Sequence, residues 1–151
     1  MNREVIYRGK RCSKKYERQD EWVYGYYLES HRSWNGHKPH KSWILDSPMT
    51  NGGWFALMGK TPVIDETVGQ YTGLRDCYGN RIFENDIFDI GGLLIGVITW
   101  HQDGYWCIAD KDGPEHKGLF KVSYRPLGEM IDRAKDREYP YNVVGNIFDD
   151  K

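Results

Sequence analysis

Asp103-Gly104 stands between Trp100-His101-Gln102 and Tyr105-Trp106-Cys107. A two-residue Asp-Gly loop matches the right-handed twist of the strands it joins, so this corner predicts a β-hairpin. With only those two residues in the loop, His101 falls opposite Trp106 as a cross-strand packing pair. The rest of the chain repeats the strand signal. In Trp22-Val23-Tyr24-Gly25-Tyr26-Tyr27-Leu28, alternation puts Trp22, Tyr24, Tyr26 and Leu28 on one side. Shorter strands are expected at 42–45 and 54–58, and further ones at 82–83, 87–90, 93–100, 105–109, 119–123 and 143–148. One helix is predicted near 127–137: Leu127, Met130, Ile131 and Ala134 recur at helical spacing among charged residues, ahead of Pro140. Short strands at turn-marked intervals with a single helix point to a small barrel or sandwich rather than a doubly wound sheet.

At 151 residues the chain suffices for one ordinary domain or two very small ones. Six Trp and eleven Tyr set it apart from disordered chains, which are poor in aromatics. A net charge of −1 excludes a polycation, so any nucleic-acid binding has to come from a local patch. Charge is uneven: residues 1–60 hold 11 Lys and Arg against 6 Asp and Glu, and residues 61–151 hold 10 against 16. The change coincides with the turn-formers Asn51-Gly52-Gly53 and Gly59-Lys60-Thr61-Pro62. The expected division is therefore a basic, aromatic-rich β region over 1–62 and an acidic region over 63–151.

Cys12, Cys77 and Cys107 are an odd number with no close pair, a poor disulfide framework and a poor zinc site. Reduced thiols in a cytosol are the simpler expectation. Met1-Asn2-Arg3-Glu4 opens no apolar secretory stretch, and the run Leu93–Ile98 is far short of the ~18–20 residues that span a bilayer. A soluble protein of the cytoplasm, without a membrane partner, is expected.

Motifs for catalysis are thin. Gly59-Lys60-Thr61 echoes the end of a phosphate loop, but Trp54 stands where the first glycine belongs and Pro62 follows where a helix should start. His37 and His40, with His31 upstream, lack a third ligand and sit beside Pro39 and the Asn35-Gly36 turn. Glu84 and Asp86 resemble a paired-carboxylate device, yet Glu84-Asn85-Asp86 more simply makes a turn whose side chains bond nearby backbone N–H groups. The basic N-terminus is more suggestive. Arg3, Arg8, Lys10, Arg11, Lys14, Lys15 and Arg18 interleave with Tyr7 and Tyr16 ahead of Trp22, Tyr24 and Tyr26. Cations beside flat rings suit single-stranded nucleic acid, although edge strands also carry Lys merely to block aggregation. The segment 64–76, running from Ile64 through Thr67-Val68-Gly69-Gln70-Tyr71-Thr72-Gly73-Leu74 to Asp76, reads as a turn-rich loop, equally a binding loop or a well-tied connection.

Six blocks resemble the YopX family of phage and prophage proteins. Tyr7-Arg8-Gly9-Lys10 is similar to its opening "FRGK", and Trp22-Val23-Tyr24-Gly25 to its "WVYG". Thr67–Leu74 nearly repeats "TVGQYTGL", Ile82-Phe83-Glu84-Asn85-Asp86-Ile87 matches "I-[FY]-E-x-D-I", Gly96-Val97-Ile98-Thr99-Trp100 "G-V-I-x-W", and Val143-Val144-Gly145-Asn146-Ile147 the closing "V-I-G-N-I". The blocks keep the family's order over nearly the whole chain, with less family pattern from His31 to Gly53. The resemblance implies a β-rich protein with an SH3-like barrel, encoded by phages and prophages of Gram-positive bacteria, and brings no catalytic residue with it.

The expectation is thus a mainly β protein, an N-terminal β-sheet region followed by a small SH3-like β-barrel with one short helix. Its function is expected to be that of a non-enzymatic binding or assembly module in the host bacterial cytoplasm, with no cofactor and no metal. The alternative is a single-stranded nucleic-acid-binding protein. Partners are a protein or nucleic acid, with self-association through exposed edges. The residues expected to bind are Arg8, Lys10, Arg11, Trp22, Tyr24, Gln70, Tyr71 and Arg75, the cations for an anionic partner and the rings as anchors.

Overall fold

The computed structural model describes residues 5–12, 21–29, 41–45, 59–110 and 124–149. The expected strands at 54–58 and 119–123, the histidines His31, His37 and His40, and the cations Arg3, Lys14, Lys15 and Arg18 lie outside the described residues. The protein is mainly β. Its strands are β1 (Tyr7–Lys10), β2 (Trp22–Glu29), β3 (Ser42–Leu45), β4 (Lys60–Pro62), β5 (Gly69–Arg75), β6 (Arg81–Phe83), β7 (Asp86–Ile90), β8 (Leu94–His101), β9 (Tyr105–Asp110), β10 (Tyr124–Pro126) and β11 (Tyr141–Asn146). The α-helix, α1, is Leu127–Asp136, close to the predicted span. Two compact units divide the chain, Met1–Tyr71 and Thr72–Lys151. The division falls within β5 because Gly69 and Gln70 pair with Arg8 and Tyr7 of β1.

In the first unit the antiparallel strands run in the order β4-β3-β2-β1-β5. β2 is a central strand, paired Tyr7↔Gly25 and Lys10↔Trp22 on one side and Tyr26↔Leu45 and Glu29↔Ser42 on the other. Two glycines are fixed by close approach. A Cβ on Gly25 would lie 2.1 Å from the Leu45 carbonyl oxygen, and one on Gly9 2.9 Å from the Val63 side chain. Ile44 and Val63 are fully buried. The segment expected as a loop over 64–76 is largely not one. It holds a 3-10 turn at Asp65–Thr67 and then β5. The turn is bolted to β1: the Lys10 N–H donates to Thr67 Oγ1 (2.8 Å), the Thr67 hydroxyl donates to the Ile64 carbonyl (2.6 Å), and the Ile64 N–H donates to the Lys10 carbonyl (2.9 Å). Glycines that read as corners serve a strand here, since Gly69 pairs with Arg8 and Gly73 takes φ +86° within β5.

The second unit holds a five-stranded sheet, β10-β9-β8-β7-β11. Its apolar face carries Phe88, Ile90, Ile98 and Ile108, and α1 covers it with Leu127, Ile131 and Ala134. The SH3-like barrel is not closed, because β10 and β11 do not pair. Pro126 ends β10 after three residues and removes the N–H a further ladder bond would need, and the chain turns into α1, whose apolar stripe seals the core. The β8–β9 hairpin forms, but with Gln102, Asp103 and Gly104 in its loop. His101 therefore faces Tyr105, and Trp100, not His101, faces Trp106. Gly104 at φ +92° supplies the left-handed residue that a three-residue loop places last.

Three polar joints hold the unit's corners. Asp86, 1% exposed, accepts from the Phe83 N–H (2.8 Å) and from the Asn146 side-chain amide (3.2 Å). Thr72 donates its hydroxyl to the Ile82 carbonyl (2.8 Å). Asp76 accepts the N–H groups of Tyr78 (3.0 Å) and Asn80 (2.8 Å), and also the Val143 N–H of β11 (3.2 Å). Beside it, the Cys77 N–H donates to the Tyr141 carbonyl (2.9 Å).

Candidate functional site

Opposed residues of an antiparallel pair share a face, so register sorts the first unit's side chains. Arg8 opposes Tyr24 and Gly69, and Lys10 opposes Trp22. Tyr26 opposes Leu45, which opposes Lys60, and Leu28 opposes Trp43. One face therefore gathers Arg8, Lys10, Trp22, Tyr24, Tyr26, Trp43 and Lys60. Among the described strand residues of this unit, that face carries three cations and no carboxylate, Glu29 lying on the other side.

The cations are laid on rings. The Arg8 guanidinium carbon sits 4.4 Å from the Trp22 ring centroid and Lys10 Nζ 5.3 Å from it, while Lys60 Nζ stands 4.4 Å from the Trp43 centroid. Such contacts hold a cation against the negative face of the indole. Arg8 and Lys10 are buried, at 8% and 7% exposure. Tyr24 and Tyr26 stay exposed, at 48% and 38%. Alternation of β2 sets these two rings side by side, Tyr24 in the half paired with β1 and Tyr26 in the half paired with β3.

Of the eight residues singled out in the sequence, four come together: Arg8, Lys10, Trp22 and Tyr24. Arg11 is beside them in sequence but is joined to Glu21, through Nε to a carboxylate oxygen at 3.2 Å and backbone N–H to carbonyl at 2.9 Å. Gln70 opposes Tyr7 and so belongs to the other face. Tyr71 is buried in the first unit. Arg75 belongs to the second unit, where its guanidinium donates to the Gly79 carbonyl (2.8 Å) and braces the Asp76 turn. Tyr26, Trp43 and Lys60 were not singled out. The alternation that marked Tyr24 marks Tyr26 equally, whereas pairing Lys60 with Trp43 requires the β3–β4 register, which no local pattern announces.

Outside this face, Lys41 is held above its ordinary value by the hydrogen bond it donates to Glu29 and by the charge of that carboxylate, 3.3 Å away. In the second unit His101 stacks on Tyr105 (4.6 Å, 15°) and meets Tyr124 edge-on (5.1 Å, 72°), and Trp100 meets Trp106 in a T (5.0 Å, 74°). The Asp103 N–H donates to His101 Nδ1 (3.1 Å), and burial raises the Tyr105 hydroxyl. Glu84-Asn85-Asp86 is the turn that the sequence suggests, with Asn85 at φ +70° and Asp86 bonded to the Phe83 N–H. Lys60 and Thr61 lie in a strand, not at a phosphate loop.

Among the described residues no helix is long and apolar enough to cross a membrane. The family model described as YopX protein matches residues 3–151. No curated protein matches the chain.

Proposed function

The chain belongs to the YopX family, and from that premise we propose that it is a non-enzymatic binding or assembly module, encoded by a phage or prophage and acting in the host cytoplasm. The observation that carries this reading is the exposed pair Tyr24 and Tyr26 on the central strand β2. Exposed rings on a rigid sheet are cheap to order on binding and large enough to anchor a partner.

The family motifs support the same reading by what they do. Gly9, Thr67, Thr72, Asp86 and Asn146 are joints of the fold, each engaged by close packing or a hydrogen bond to another element. The SH3-like reading of the second unit is part of the proposal. Four strands in a meander, then a helix, then a fifth strand returning to pair with the first, is the order of a small five-stranded barrel before its ends meet.

The test is affinity capture from cells with the phage or prophage induced, with nuclease added to one arm. The wild-type chain is expected to retain a bound species that Tyr24→Ala/Tyr26→Ala loses while its circular dichroism stays the same. An identical captured set from both chains would overturn the proposal.

A further inference from the structure

We infer that the tip of the β8–β9 hairpin is a proton-sensitive clasp, in which neutral His101 holds the Asp103 main chain and charged His101 holds the Asp103 carboxylate. One ring atom faces both partners. Nδ1 accepts the Asp103 N–H at 3.1 Å and lies 3.6 Å from Asp103 Oδ2. A ring nitrogen that accepts an N–H uses its lone pair, so the neutral imidazole carries its proton on Nε2. A second proton, taken from water, occupies that lone pair. The Asp103 N–H then loses its acceptor, and the new ring N–H is satisfied by the carboxylate oxygen beside it.

The ring is held in place for this exchange. It is stacked on Tyr105 (4.6 Å, 15°), meets Tyr124 edge-on (5.1 Å, 72°) and is 15% exposed. The Gly104 N–H donates to the His101 carbonyl (2.9 Å), a bond that needs neither partner of the ring. Among the described residues, the titratable groups around the ring are Asp103, Tyr105, Tyr124 and, at the next same-face pair, Cys107. Burial raises the Tyr105 hydroxyl and the Cys107 thiol, so both stay neutral while a histidine titrates and Asp103 supplies the charge. The Tyr105 face also attracts the charged ring. The surface of the tip changes with the proton. Neutral His101 leaves a carboxylate that is 72% exposed, whereas charged His101 pairs that carboxylate and releases a main-chain N–H.

The experiment is NMR of the isotope-labelled full chain as pH is lowered from about 8 to about 5.5, within the range where histidine titrates. At the upper end the His101 ring is expected to show a bare Nδ1 and a protonated Nε2. As the ring takes up its proton, the Asp103 amide proton is expected to shift upfield, having lost its acceptor, and the Asp103 carboxyl carbon to shift in step. His101→Gln takes no proton in this range yet still offers an oxygen to the Asp103 N–H, and is expected to flatten both curves. Asp103→Asn keeps the N–H and gives up the charge, and is expected to keep the amide shift. A proton on Nδ1 of the neutral ring, an amide at position 103 that does not follow the ring, or unchanged curves in His101→Gln overturns the inference.

Discussion

The side-chain amide of Asn146 donates to the buried carboxylate of Asp86, joining the end of β11 to the start of β7 at 3.2 Å. The same carboxylate accepts the Phe83 N–H with its other oxygen. Two family motifs thus meet in one hydrogen-bonded joint. Removing the Asn146 amide costs the buried carboxylate one hydrogen bond, and removing the carboxylate costs Asn146 and the Phe83 N–H theirs as well. Asn146→Ala is expected to lower stability by about 1–3 kcal/mol and Asp86→Ala by more. Chemical denaturation of the three chains checks this, and an Asp86→Ala chain as stable as wild type would refute it.

Two glycines should respond in opposite directions to the same substitution. A Cβ on Gly96 would lie 2.4 Å from the Ala109 carbonyl oxygen and 2.4 Å from Ile108 Cγ2. Backbone cannot give way as a side-chain tip does, so Gly96→Ala is expected to cost about 3 kcal/mol, the upper end for overpacking. Gly128, in the first turn of α1, has open space where its Cβ would go. Gly128→Ala is expected to stabilise by about 0.5 kcal/mol through the lower entropy of the unfolded chain. Thermal melts of both variants should fall on either side of wild type.

Trp22 holds two cations, so its loss is felt by both. Trp22→Leu keeps an apolar side chain but removes the ring's negative face from Arg8 and Lys10. The expected cost is about 1–2 kcal/mol beyond the loss of apolar area, with Trp22→Phe in between because its weaker ring still attracts. A double-mutant cycle with Lys10→Met isolates the term. A coupling of zero between the two positions would show that the stacked geometry carries no energy.

Burial raises the Cys107 thiol, which is 0% exposed and donates to the Thr99 carbonyl at 3.4 Å. The folded chain therefore holds the protonated form more tightly than the unfolded chain. Stability from this group is complete below the unfolded value, about 8.5, and is lost as pH rises through the higher folded value. Wild type is expected to lose melting temperature above about pH 8.5 more steeply than Cys107→Ala. At neutral pH an alkylating reagent is expected to label exposed Cys77 first and Cys107 last. Equal labelling rates at the two thiols would contradict the burial.

Much of the fold could be read from local pattern, and the misreadings share a cause. α1 and strands β6, β7, β8, β9 and β11 were legible because apolar spacing is a local property, whereas the short β10 at Tyr124–Pro126 was not foreseen. The hairpin corner was legible, but Asp-Gly suits both a two-residue loop and the end of a three-residue one, so His101 and Trp100 exchanged partners. β5 was read as a loop because Gly69 and Gly73 look like corners, and only its pairing with β1, distant in sequence, makes it a strand. The rings and cations of the site were likewise visible as letters. What was hidden is that Arg8 and Lys10 lie on Trp22 and are buried, while Tyr24 and Tyr26 stay exposed.

The Asp76 corner has a consequence for how copies of this chain behave when crowded. A strand at the margin of a sheet is a template that a neighbouring polypeptide can copy into a ladder. Here the Tyr141 carbonyl and the Val143 N–H are already taken by Cys77 and Asp76 of the same molecule. With those two groups taken, the rim offers a neighbouring chain fewer bonds to copy, and loosening the Asp76 carboxylate would free one of them.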